Sequence, residues 1–384
     1  MDSDHYLGWL ALALTPGLGA RMAGKLLREM GSPQQIFNAS LTELESHHLP
    51  AAVAQAIHSH RPLSDAAKEL AAAQAAGCKL LTWDEPEYPA RLREIYDPPP
   101  LLYVLGNIEL LNRHLISIVG SRRPTPYGNQ MAERLGRDLA DRGIVVTSGM
   151  ARGIDSCAHK GALSSAGGAT IGILGSGIDV VYPKENKKIF ADMQTRGAII
   201  SEFPMETFPA PQNFPIRNRI IAGIALGVVV VEGAQYSGSL ITARLAMEFG
   251  REVFGVPGNA TQPTSFGPNQ LIKQGAKLVQ DWNDVIVELP AEVRRQLIER
   301  GRNRLLGSGG ESADGGEASQ LKGSLPEAGR KLLAALQVDK AIHLDDLLQI
   351  LEDNSASELI AALFELEMLG LVKQLPGKNF VKVW

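Results

Sequence analysis

The sequence predicts an α/β fold: a doubly wound, mostly parallel sheet, preceded by a small helical domain and followed by a winged-helix domain. Three observations predict it. Between about residues 100 and 290, short runs rich in Val and Ile alternate with amphipathic stretches of helical length, and the runs lack the period-2 polarity of a half-exposed strand. Nearly every run ends in glycine or another small residue. A Gly- and Ser-rich segment, 301–325, then separates this region from a tail patterned as three helices and a hairpin. The predicted domains are 1–82 (helical), 83–290 (sheet), 291–325 (linker) and 326–384 (winged helix).

In the first segment, Leu7, Leu10, Ala11 and Leu14, then Met22, Leu26 and Leu27, recur at helical spacing. Between them Thr15-Pro16-Gly17-Leu18-Gly19 reads as a tight turn. Such a turn suits a helix-hairpin-helix, or SAM-like, module whose amides hold a phosphate. A purely structural helix pair is the competing reading, because Arg21 and Lys25 are the only cations nearby.

The strand runs are 115–119, 144–147, 169–174, 198–201, 228–231, 252–256 and 277–279. Loops follow them at Gly120-Ser121-Arg122, at 148–155, at Gly175-Ser176-Gly177, at 232–239 and at Pro257-Gly258. Strand ends of an open α/β sheet share one edge, where glycines let backbone amides approach an anion. The set describes a phosphate-binding rim. Neither the dinucleotide fingerprint GxGxxG after the first run nor a GxxxxGK[ST] loop is present, so neither a dinucleotide enzyme nor a P-loop NTPase is supported. Arg122 stands near the first strand end, and Phe214, Arg217, Asn218 and Arg219 combine a ring, two guanidinium groups and an amide. Arginine forks suit phosphate and an aromatic face accepts any base. The alternative puts Phe214 in the core and the arginines in salt bridges.

Composition narrows the function classes. Thirty-eight basic against 42 acidic residues give a net charge of −4, so any polyanion surface is local. The longest apolar run, 220–231, is broken by Gly223 and Gly227 and falls short of the ~20 residues that span a bilayer. Asp2 and Asp4 with no Lys or Arg precede 7–14, unlike a signal peptide, and a cytoplasmic protein is expected. Cys78 and Cys157 lie outside any CxxC, so no zinc site or disulfide framework is expected. Asp155 and His159 are four residues apart and could share a helix face, which reads as a surface pair rather than a metal site. Ser148, Ser176 and Ser239 lack any sequence hint of a paired base and read as hydroxyl donors to phosphate. No catalytic residue, metal or cofactor is expected.

With these motifs in hand, the chain resembles the bacterial DNA-processing proteins of the DprA/Smf family. The likeness begins at Tyr88-Pro89-Ala90-Arg91-Leu92 and Asp97-Pro98-Pro99-Pro100-Leu101-Leu102-Tyr103, and runs through Ile118-Val119-Gly120-Ser121-Arg122 and Ser148-Gly149-Met150-Ala151-Arg152-Gly153-Ile154-Asp155. It continues in Leu174-Gly175-Ser176-Gly177, Ser201-Glu202-Phe203-Pro204, Phe214-Pro215-Ile216-Arg217-Asn218-Arg219 and Ser237-Gly238-Ser239-Leu240-Ile241-Thr242. The resemblance implies an extended Rossmann-like domain that binds single-stranded DNA, protects incoming strands and helps load RecA during natural transformation or recombination. It also implies a homodimer, with no membrane. Carried over by position, Gly120, Ser121, Arg122, Gly149, Arg152, Gly153, Gly175, Ser176, Gly177, Phe214, Arg217, Asn218, Arg219, Ser237, Gly238 and Ser239 would line the DNA groove. The rival from another class is a nucleotide hydrolase of the lysine-decarboxylase-like group, whose glycine loop ends in a catalytic glutamate. Here Ile241 and Thr242 stand near that position.

The third helix of the tail carries Glu358, Glu365 and Glu367 and no Lys or Arg. An acidic helix repels phosphates, which argues against the usual major-groove docking. Residues 326–384 alone are therefore expected to leave a DNA duplex unshifted at moderate salt; a shift in a native gel would refute that expectation.

Overall fold

The runs fold as strands of one sheet in this computed structural model, which describes residues 3–297, 327–337, 340–351, 355–368 and 371–382. In chain order these are β1 (Lys79–Thr82), β2 (Leu101–Gly106), β3 (Leu115–Val119), β4 (Val145–Ser148), β5 (Thr170–Ile173), β6 (Ala198–Ser201), β7 (Gly227–Val230), β8 (Glu252–Gly255) and β9 (Lys277–Leu278). They lie in the order β1-β2-β6-β5-β4-β3-β7-β8-β9. From β6 across to β9 every pairing is parallel, whereas β1–β2 and β2–β6 are antiparallel. β3 through β7 are buried along their whole length, which is why the sequence shows no alternation there.

Six helices precede the sheet: α1 (Ser3–Leu14), α2 (Ala20–Met30), α3 (Pro33–Asn38), α4 (Leu41–Ser46), α5 (Ala51–His58) and α6 (Arg61–Ala75). Their apolar faces do not close on themselves. Trp9, Leu10, Leu26, Ile36 and Leu70 share one core with Leu80, Leu101, Tyr103, Met193 and Ile199, and residues 1–289 form a single compact unit. Strand β1, numbered with the helical segment in the division at residue 82, is the edge strand of the sheet. The Pro16–Gly19 turn joins α1 to α2, and Lys25 is engaged there with Glu29 and the His47 carbonyl.

The helices between the strands are α7 (Ala90–Arg93), α8 (Pro126–Asp141), α9 (Ile154–Ser164), α10 (Lys187–Arg196), α11 (Asn213–Ile224), α12 (Gly238–Glu248), α13 (Phe266–Lys273) and α14 (Trp282–Ile286). Winding runs from β3 through β4 and β5 to β6 in one direction, then returns to β7 and continues to β8 and β9. Right-handed crossovers put the helices of the two halves on opposite faces. β3 and β7 are neighbours, so the direction reverses between them, and the loops after β3, β4, β5 and β7 all open on the carboxyl edge. Tyr88 and Asp97 of the early motifs are braces: the Tyr88 hydroxyl donates to the Pro99 carbonyl at 2.7 Å, and Asp97 pairs with Arg219 at 3.3 Å.

The second unit begins at Pro290. Residues 291–297 are helical, and the rest of the expected linker, 298–325, lies outside the described residues. Helices α15 (Glu327–Ala335), α16 (Leu344–Ile350) and α17 (Ala356–Met368) pack around Leu332, Leu347, Leu359, Leu363 and Leu366. Strands β10 (Ile342–His343), β11 (Val372–Leu375) and β12 (Asn379–Lys382) complete a winged helix, with order β10-β12-β11. The Ser355–Glu358 capping box opens α17 as the sequence predicts: each side chain accepts the other's backbone N–H, at 3.3 and 3.0 Å. Glu367 accepts from the Gln374 amide at 3.3 Å, tying α17 to the wing, and the side chain of Glu365 lies outside the described residues.

Helices α8 and α9 cross at two glycines. A β-carbon on Gly136 would lie 2.4 Å from the Ala158 carbonyl oxygen, and one on Gly161 would lie 2.0 Å from that of Glu133. Gly161→Ala is expected to force the helices apart and to cost about 1–3 kcal/mol, read as a lower urea midpoint at unchanged slope.

Candidate nucleic-acid interface

The carboxyl edge of β3, β4 and β5 holds a pocket, open to solvent, lined by Arg122, residues 149–152 and 174–176, Tyr182, Pro183, Phe214 and Arg217. The sequence reading named most of this lining from separate loops. The fold brings them together because α11 carries Phe214 and Arg217 to the strand ends where the glycine loops begin.

Arg217 forms the floor. It is 3% exposed, and among the described residues it makes no hydrogen bond and no ion pair; its Nε is buried without a partner. A β-carbon on Gly149 would fall 1.5 Å from an Arg217 terminal nitrogen, so only glycine leaves room for the guanidinium. Asp155 lies beyond that point, and its Oδ2 is spent on the loop, accepting from the Gly149 and Ala151 amides at 3.1 and 3.4 Å. Burial lowers the Arg217 pKa to about 10, against the upward pull of Asp155, and the nearby Arg122 lowers it further. Burial likewise raises Asp155, more than Arg217 draws it down. The guanidinium stays charged at neutral pH, in a poorly hydrated place.

Phe214 forms one wall. Arg122 lies over its ring at 4.9 Å and Arg217 at 5.8 Å, while Tyr182 meets it at 6.0 Å and 33°. The ring stands against Gly175, whose β-carbon would touch it at 3.0 Å. Arg122 is exposed, and Arg152 is exposed and paired with Glu185 at 2.6 Å. Ser176 lines the pocket, and its hydroxyl donates weakly to the Val180 carbonyl at 3.3 Å.

The remaining sequence-named residues sit around this centre. Gly120, Ser121 and Gly153 shape the loops: the Ser121 carbonyl accepts from the Ile154 amide at 3.2 Å, and Gly153, at φ 77°, has no space for a β-carbon beside it. Gly177 turns away, towards Asp179 and the 204–206 segment. Asn218, one residue along α11, faces α12 and donates to the Gly238 carbonyl at 3.5 Å. Ser237 and Ser239 share a hydrogen bond of 2.8 Å at the start of α12, next to Gly238. Arg219 lies apart from the pocket: it is buried, paired with Asp97 and Glu202. There the salt-bridge alternative describes the residue.

Asp155 and His159 do share a face of α9, but that face is buried rather than at the surface, because α8 and the sheet cover it. His159 Nδ1 meets the Thr170 hydroxyl at 2.7 Å, and burial, helped by the Arg217 charge, lowers its pKa to about 3. Among the described residues no group of three His, Cys, Asp or Glu is arranged to hold a metal, and no helix is long and apolar enough to cross a membrane. Sequence reasoning missed Tyr182 and Pro183. The available signal was an aromatic-proline pair just past the Gly175–Gly177 loop, followed by Lys184, Lys187 and Lys188, all exposed.

The fold and its sequence have counterparts among known proteins. Residues 79–290 match the family model described as DNA recombination-mediator protein A, and residues 316–378 match the DprA winged helix domain. The chain is 43% identical to the DNA processing protein DprA of Bacillus subtilis over 222 residues, covering 58% of this chain and 74% of that protein. It is 34% identical to the Smf protein of Synechocystis over 322 residues, 79% of each. The X-ray structure of DNA processing protein A from Streptococcus pneumoniae superimposes with a TM-score of 0.66 at 34% identity, covering 76% of this chain and 98% of that one.

The two arginines of α11 are separable by experiment. Arg219→Ala leaves two partly buried carboxylates without their cation and is expected to cost up to about 3–5 kcal/mol in chemical denaturation. His159 sets an acid limit. Its folded pKa is depressed, so below pH ~6.5 the unfolded chain takes up a proton that the native state refuses, and stability falls by about 1.4 kcal/mol per pH unit as pH drops towards 3. The raised carboxylates Asp155 and Glu202 act in the opposite sense, holding protons in the native state that the unfolded chain releases. The difference between the parent and His159→Asn therefore isolates the histidine, and the parent should lose stability faster between pH 6.5 and 4.

Proposed function

The chain belongs to the DprA/Smf family, and from that premise we propose that its sheet domain binds single-stranded DNA and serves recombination as a mediator, not as an enzyme. The observation that carries this reading is Arg217, a buried guanidinium under an open pocket with no anion bonded to it among the described residues. A desolvated cation is costly in the free protein, and a backbone phosphate reaching the pocket floor supplies the missing acceptor. Phe214 and Tyr182 offer stacking faces that accept any base, and Arg122 and Arg152 stand at the mouth. Gly149, Gly175 and Ser176 provide close backbone approach and a hydroxyl, while Gly120, Ser121, Gly153 and Gly177 shape the loops. Ser237, Gly238 and Ser239, braced by Asn218, are a second phosphate contact on the same rim. Arg219 supports the fold.

In this reading the protein protects incoming strands and helps load RecA in natural transformation or recombination. It works in the cytoplasm as a homodimer and needs no cofactor. The carboxylates around the pocket are engaged, Asp155 with loop amides, Glu185 with Arg152 and Glu232 with Thr125, whereas hydrolysis of a nucleotide needs an acid or base placed at the reacting bond.

An oligothymidine gel shift tests this. The parent should bind, weaken as salt rises, and release no free base from nucleoside monophosphates. Arg122→Ala should weaken binding about ten- to hundredfold, the worth of a charge-assisted contact, and should flatten the slope of log K against log salt by about 0.7. Arg217→Met should abolish most binding with the fold retained, in contrast to Arg219→Ala. Full affinity in both Arg122→Ala and Arg217→Met would remove the pocket from the account.

A further inference from the structure

In a doubly wound sheet the crevice where winding reverses is the usual seat of a nucleotide, with its phosphate at the positive end of the first helix. Here that crevice lies between β3 and β7, and the helix is α8. The place is already taken. Glu232, two residues past β7 and 3% exposed, turns its carboxylate onto the first turn of α8. Its Oε2 accepts the Thr125 amide at 2.9 Å and its Oε1 accepts the Thr125 hydroxyl. The same Thr125 oxygen accepts the Gly128 amide at 3.2 Å, so the carboxylate reaches the helix end directly and through one relay. A β-carbon on Gly128 would lie 2.5 Å from the Glu232 carboxyl carbon, so glycine is what lets the acid in. The main chain of Glu232 also closes on the loop, its carbonyl oxygen 2.8 Å from where a β-carbon of Gly120 would be.

We infer that Glu232 is an internal anion that fills the phosphate place of the reversal crevice and, through Thr125, positions the 120–125 loop that presents Arg122. The loop is held at both ends. At its start, Gly120 packs on Ile154 and the Glu232 main chain, and the Ser121 carbonyl accepts the Ile154 amide. At its end, Thr125 is bonded to Glu232. Arg122 lies between these anchors and reaches the Phe214 ring. Glu232 thus does two things with one group. It denies the crevice to a nucleotide phosphate, leaving the neighbouring pocket over β4 and β5 as the open anion site, and it fixes the cation at that pocket's mouth.

The affinity part of this inference rests on the single-strand-binding reading; the stability part does not. The test uses the full chain with Glu232→Ala and compares sodium acetate with sodium chloride at equal ionic strength. In the variant, acetate should raise the melting temperature over chloride, by refilling the vacated place, by clearly more than the general salt effect that the parent shows. In chloride, Glu232→Ala should lower oligothymidine affinity by up to the tenfold or more lost in Arg122→Ala. Added to Arg122→Ala, it should change affinity by less than about twofold, because both act through one side chain. An acetate gain no larger than the parent's overturns the inference, as does a loss that persists in full when Arg122 is absent. Should Glu232→Ala fail to fold, Gly128→Ala decides: its methyl group displaces the carboxylate, and the same non-additive loss with Arg122→Ala is expected, with additivity or full affinity overturning the assignment. If the parent binds no oligothymidine, the single-strand reading fails, and the acetate effect on melting still decides the role of Glu232.

Discussion

The pocket depends on one steric exchange: the guanidinium of Arg217 occupies the space that a side chain at position 149 would need. That exchange requires glycine at the end of β4, and it requires α11 to start over the strand ends. It also requires an anion near enough to offset part of the charge. Asp155 provides the offset without a bonded pair, because its oxygen is held by the loop amides. The arrangement leaves the cation dehydrated and incompletely compensated. Replacing it by a salt bridge would make a more ordinary core and would leave no reason for an anion to enter.

Arg217 and Arg219 show where sequence reading stops. Two residues apart on a helix, they point about 200° apart, so they cannot serve one site. The sequence does not say which of them faces the sheet edge, because the acids that claim Arg219, Asp97 and Glu202, come from distant segments. The parallel strands were legible almost residue for residue, since burial on both faces leaves continuous Val and Ile runs. Strands β1 and β2 were not, because they join the sheet antiparallel, at an edge built with the preceding helices. The Asp155–His159 spacing gave the shared helix face correctly. Its burial depends on α8, whose close approach is set by glycines that sequence alone does not pair.

The missing dinucleotide fingerprint has a physical counterpart in the fold. Gly120 has no free space above it, since a β-carbon there would meet Ile154 at 2.7 Å and the Glu232 carbonyl at 2.8 Å. The helix end that would receive a pyrophosphate is bonded to a carboxylate. The sheet keeps the topology of a nucleotide-binding domain, and its open pocket, floored by the Arg217 guanidinium, lies one strand away from the reversal. Electrostatics at the reversal point are satisfied internally; those at the neighbouring edge are not.

The crossing of α8 and α9 at Gly136 and Gly161 reaches beyond packing. These helices grow directly out of the loops that carry Arg122 and Gly149, so bringing their backbones into contact welds both loops to one rigid tray. On a tray of that kind Arg122 and Gly149 keep one spacing, so a change made in either helix is felt at both loops together.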